Sequence, residues 1–93
     1  MRLISQRKDA NHDDIVDEYR HQGCAVVSLA RVGNGCPDLL VLGYGRLCLV
    51  EVKTPKGPLK PVQEEFARIW PVRVVRSREE AMLHTLELAG LAK

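Results

Sequence analysis

Asp38, Glu51 and Lys53 are the side chains of this sequence best suited to do chemistry, two carboxyls and an amine carried on short apolar runs. Two acids at close range can hold a hard divalent cation through oxygen. A lysine beside them can orient a water or stabilise an anionic oxygen. Aimed at one spot, the three suit metal-dependent attack on a phosphodiester.

The chain between them must fold back on itself for that to happen. Leu39 to Leu42 and Arg46 to Val50 are apolar, β-prone runs separated by Gly43-Tyr44-Gly45, a hairpin signal. With Tyr44 and Gly45 as a two-residue loop, Leu42 faces Leu47, Leu40 faces Leu49, and Asp38 falls opposite Glu51. Lys53 then shares their face, because strand side chains alternate. Opposed Cβ atoms lie roughly 4.5–5.5 Å apart. At that range and an effective dielectric near 20, two carboxylates repel by on the order of 3 kcal/mol, so a cation or Lys53 must offset them. The plainer alternative is a surface ribbon whose Glu51–Lys53 ion pair is worth about 0–1 kcal/mol. Against it, both strands are almost continuously apolar, as expected of a sheet covered on both faces.

The 93 residues predict one domain over 1–93, with 1–10 a polar N-terminal arm. Its core is small enough for oligomerisation to add useful stability. Apolar residues make up 45% and charged residues 28%, which excludes a disordered chain. No apolar run approaches the roughly 20 residues of a membrane span. The arm, with Arg2, Arg7, Lys8 and Asp9, lacks a signal-peptide core, so a cytoplasmic setting is expected, without a membrane partner. Cys24, Cys36 and Cys48 are odd in number with no C-x-x-C spacing, and read as buried free thiols. A net charge of +2 does not by itself imply a nucleic-acid partner. The distribution says more: Lys53, Lys56 and Lys60 cluster beside the hairpin, and Arg73, Arg76 and Arg78 follow. A solvated charged surface and a phosphate-binding one both fit that pattern.

Around the hairpin the sequence predicts a helix over Asp13 to Gln22, capped by Asn11 and stopped by Gly23. A strand over Cys24 to Ala30 follows. Thr54 to Lys60, with two prolines, reads as an exposed loop. Pro61 opens a helix through Trp70, in which Gln63, Phe66, Ala67 and Trp70 form one stripe facing the sheet. Phe66 and Trp70 are expected in the core, and His21 and His84 on solvated helix surfaces. Val72 to Val75 is a fourth strand, and Ser77 with Glu80 resembles a capping box opening a last helix through Ala89, stopped by Gly90. The order α-β-β-β-α-β-α predicts an α/β fold, a mixed four-stranded sheet flanked by helices.

From Asp9-Ala10-Asn11 to about Glu80, the sequence resembles the VRR-Nuc group of the PD-(D/E)XK nuclease superfamily, in its short stand-alone, phage-type form. The resemblance rests on Gly35-Cys36-Pro37-Asp38-Leu39, Glu51-Val52-Lys53, Gly57-Pro58-Leu59-Lys60-Pro61, Gln63 and Val74-Val75-Arg76-Ser77. It implies the restriction-endonuclease-like core and hydrolysis of nucleic-acid phosphodiesters. It also implies Mg²⁺ or Mn²⁺ held by Asp38, Glu51 and the backbone carbonyl of Val52, with no organic cofactor. Lys53 would orient or deprotonate the attacking water, or stabilise charge on the phosphate, and Gln63 matches the family's glutamine.

Many relatives carry a glutamate on the first helix, and His12 stands at that position here. On a helical wheel His12 falls in the Ile15/Val16/Tyr19 stripe, while Asp14 points away. His12 could ligate the metal, hydrogen-bond a water on it, or cap the helix. The implied substrate is branched DNA of the Holliday-junction kind, cut in the cytoplasm of a bacterial or phage-infected cell and consistent with a role in DNA repair. A homodimer would present two matching sites. The strand from Cys24 to Ala30 or the last helix, with Met82, Leu83, Leu86, Leu88 and Leu91, could supply its interface. Lys56, Lys60, Arg73 and Arg76 are candidate DNA contacts. The alternatives are a flap, end or duplex nuclease of the same fold, and a non-catalytic DNA-binding or interaction module.

Overall fold

Left-handed backbone at Tyr44 (φ 56°) and Gly45 (φ 76°) closes the hairpin in a computed structural model that describes residues 10–91. Two successive positive φ angles match the right-handed twist of the flanking strands. They join β2 (Leu39–Gly43) and β3 (Arg46–Val52) in the expected register, with Leu42 opposite Leu47 and Leu40 opposite Leu49. β1 (Ala25–Ser28) pairs antiparallel with β2, and β4 (Val72–Val75) pairs parallel with β3. The sheet is thus mixed, in the order β1-β2-β3-β4.

Three helices complete this α/β fold: α1 (Ala10–His21), α2 (Pro61–Ile69) and α3 (Arg78–Leu88). Ser77 caps α3 by accepting the Glu80 amide, as its sequence predicts. α1 and α3 pack together against one face of the sheet, where Ile15, Tyr19, Leu39, Val41, Val50, Val75 and Ala81 are fully or almost fully buried. Removing such side chains from water is the main term holding so small a domain together.

The boundaries move in ways that matter. α1 begins at Ala10, not Asp13, which puts Asn11 inside the first turn rather than at a cap. β1 stops at Ser28: the Leu29 amide still donates to the Asp38 carbonyl, the next pair in register, and the Leu29 carbonyl then accepts from Val32 to close a turn. β3 runs on to Val52, so Glu51 lies within it. Most of the arm predicted over 1–10 lies outside the described residues.

The sheet is not covered on both faces. Opposite the helical layer, Val27, Leu42 and Leu47 are 55%, 48% and 65% exposed. Trp70 is also exposed and stacks on Phe66 rather than entering the core, since α2 buries none of its residues fully. His84, expected on the surface, is buried. It belongs to the stripe Ala81, His84, Thr85 and Leu88, and its Nδ1 meets the Tyr19 hydroxyl at 2.7 Å. Within the last helix Leu88 is buried, while Met82 and Leu83 are exposed, as is Leu91 just beyond it. Cys24, Cys36 and Cys48 are free; Cys24 is buried and the other two are half-buried.

Candidate active site

Strand alternation sends Val50 and Val52 into the core and Glu51 to the other face, with Lys53 following it. Leu39–Val50 is the last regular pair of the hairpin. The next hydrogen-bonded pair would match Pro37 with Val52, two residues further along each strand. Proline has no N–H, so it can offer nothing to the Val52 carbonyl. Asp38 completes the exchange from its side chain: the Val52 amide donates to Asp38 Oδ2 at 2.8 Å. The Asp38 carboxylate is thereby pinned across the end of the hairpin, beside Glu51.

Glu51 is 3% exposed. Gln63 Nε2 donates to its Oε2 at 3.0 Å, and Lys53 Nζ stands 3.9 Å from the same oxygen. Burial, then the neighbouring carboxyl of Asp38, push the Glu51 pKa up to about 7. Lys53 and Lys60 pull the other way, more weakly. The charge of Asp38 thus bears on Glu51, which is the repulsion expected of their register.

Gln63 is held as firmly as Glu51. Its Oε1 accepts the Lys60 amide at 2.8 Å at the start of α2, fixing the amide so that Nε2 points at the sheet. α2 in turn sits tightly on the loop that carries Asp38. Gly35 has φ 79°, and a Cβ there would lie 2.4 Å from the Val62 carbonyl oxygen. Only glycine fits both that conformation and that approach.

Asp38, Glu51, Lys53 and Gln63 thus converge. Carboxylate oxygens are the donors that Mg²⁺ or Mn²⁺ takes, and the Val52 carbonyl, which lacks a ladder donor at Pro37, is a further oxygen of the same chemical kind on the strand that carries Glu51. His12 is placed differently. Its side chain is 14% exposed and lies 3.7 Å from Asp13, lining a cleft with Val16, Asp17, Arg20 and Val26 between α1 and β1. Among the described residues no three His, Cys, Asp or Glu side chains gather to hold a metal. Asp14 points away, as expected, and meets Arg78 at 3.6 Å.

Of the basic residues, Lys56 and Lys60 are exposed. Arg73 is turned to the helical layer, where its guanidinium forks onto the Glu87 carboxylate, and each group strengthens the charged form of the other. Arg76 Nη1 donates to the carbonyls of Thr54 and Gly57 and ties down the loop after β3. Tyr44 is exposed, and its hydroxyl donates to the Gln22 carbonyl.

Two contributors escaped the sequence reading. Asn11 donates through Nδ2 to the carbonyls of Lys53 and Arg76, at 2.6 and 3.1 Å. A short amide near a helix start reads as a cap, and nothing local distinguishes the two uses. Pro37 could have been found, because a proline just before a strand blocks the next ladder bond. Searches against family models, curated proteins and solved structures return no match to the chain.

Proposed function

We propose that this domain is a metal-dependent, structure-selective DNA endonuclease that hydrolyses phosphodiesters in branched DNA of the Holliday-junction kind. The observation that carries the reading is the convergence on buried Glu51: Lys53 and Gln63 meet the same oxygen of its carboxyl, and Asp38 is pinned across the hairpin end beside it by the Val52 amide. A pair so placed is stabilised by a divalent cation and strained without one. When bound, such an ion polarises the phosphate and lowers the pKa of a water.

The side chains of the chain do the rest. Asp38 and Glu51 present oxygens from a fixed hairpin end. Lys53 places a positive charge where an attacking water or a developing negative charge would lie, and Gln63 holds Glu51 in its orientation while presenting an amide to the same space. Lys56 and Lys60, exposed on the neighbouring loop, are placed to meet backbone phosphates. Arg73 and Arg76 are occupied within the fold and are left out of that surface. The substrate class comes from the VRR-Nuc resemblance. Paired cuts across a four-way junction call for two sites, which a homodimer provides.

Labelled four-way junction, flap and linear duplex, each incubated with Mg²⁺, Mn²⁺ or EDTA, test the proposal. Metal-dependent cutting with preference for the junction is expected, with a dimer by light scattering. No cleavage of any substrate in either metal refutes the enzyme, and a strict monomer refutes paired cutting.

A further inference from the structure

We infer that Asn11 is a positioning residue for Lys53, acting through the backbone; the inference rests on the nuclease reading for its catalytic consequence. Lys53 is the first residue past the end of β3, where a strand normally loses its grip on side-chain direction. Here both of its peptide groups are held. Its N–H donates to the Val75 carbonyl at 3.1 Å, the last bond between β3 and β4. Its carbonyl points to the same side and has no further β4 residue to meet, because β4 ends at Val75.

Asn11 Nδ2 takes that place. One amide nitrogen donates one proton to Lys53 O and the other to Arg76 O, so it bridges the two parallel strands just beyond their last ladder bond. Arg76 continues the clasp by donating to Thr54 and Gly57 on the chain leaving Lys53. The direction of Lys53 toward Glu51 is therefore set by a group on α1, 42 residues away in sequence. Only a donor with two protons on one nitrogen can serve two carbonyls in this way.

The substitution series Asn11→Ala and Asn11→Asp tests this in the full-length chain. A donor role ranks the isosteric aspartate worst, since it turns a carboxylate toward two carbonyls; a role in filling space ranks alanine worst. For Asn11→Ala, kcat on junction DNA is expected to fall about 10–100-fold with KM changed less than twofold, the size typical of a group that orients a ligand or catalytic side chain. Hydrogen exchange across 53–57 is expected to speed up at least tenfold in both variants, while that of β2 stays unchanged. Unchanged exchange, or alanine more damaging than aspartate, overturns the inference. If the native protein cuts no DNA, the nuclease reading and the kcat effect fall together, and the exchange data still decide whether Asn11 holds Lys53. Native cleavage with an unaltered kcat in Asn11→Ala overturns the positioning role alone.

Discussion

The amide of Val52 donates to the carboxylate of Asp38, where regular pairing would have joined Val52 to Pro37. A side-chain oxygen accepts this amide in place of the Pro37 carbonyl, and the Val52 carbonyl on the same side is left without a ladder donor because proline has no N–H. Pro37→Ala restores that donor. Mn²⁺ affinity measured by calorimetry is expected to drop about tenfold, within the range for losing an orienting contact at a metal. An unchanged affinity would remove the Val52 carbonyl from the ligand set.

Without metal, the domain should lose stability between weakly acidic and alkaline pH. Glu51 has a folded pKa of about 7 against an ordinary 4.5, so the native state keeps a proton that the unfolded chain has already released. That contribution is fully present below about pH 4.5 and disappears as pH rises through about 7. At 1.36 kcal/mol per pKa unit, the loss is on the order of 3 kcal/mol. His84 opposes it: burial lowers its pKa, so the native state favours the neutral ring and gains stability as pH rises toward 6.5. Thermal melts in EDTA should therefore be compared with Glu51→Gln, which retains the His84 rise and lacks the Glu51 fall. Identical pH profiles would refute the raised pKa of Glu51. Mn²⁺ should raise the melting point more at pH 8 than at pH 5.

Asp38→Asn, Glu51→Gln and Lys53→Ala should each abolish cutting of junction DNA while the far-ultraviolet dichroism stays native. Gln63→Ala should be milder, about 10–100-fold, since Gln63 orients Glu51 and does not supply its charge. Cleavage at the native rate by any of the first three disproves the assignment of that residue.

Gly35→Ala combines a backbone clash with a left-handed φ. Denaturant titration should show a loss of about 2 kcal/mol or more, the scale for strain the surroundings must absorb. Because the displaced loop carries Asp38, Mn²⁺ affinity should fall as well. An alanine variant of native stability would show that the contact with Val62 is loose.

The hairpin and its register were legible because two apolar, β-prone runs around Gly-Tyr-Gly leave one sensible pairing for a two-residue loop, and the structure has it. β4, the Ser77 cap and the inward turn of Gln63 were legible for the same kind of reason, a local pattern with one geometric solution. Trp70 was not, since its helical stripe is real but α2 lies where the sheet ends and too little surface faces it. His84 was missed because a titratable ring inside a stripe reads as polar, whereas the Tyr19 hydroxyl satisfies its Nδ1 and allows burial. Arg73 looked like a free cation, and only its strand parity shows that it faces Glu87. The contacts of Asn11 span more than forty residues, which no local rule reaches.

The hairpin also gives the acids a place in folding kinetics. A two-residue turn closes in roughly 1–10 μs, whereas the parallel β3–β4 pairing must wait for a much longer loop to be brought together. Asp38 and Glu51 therefore meet before Gln63 arrives, and their repulsion is felt on the way up the barrier. In stopped-flow refolding without metal, the folding rate should be higher at pH 5 than at pH 8, and Glu51→Gln should flatten that difference; an equal slope in both proteins would mean that the acids meet only after the barrier.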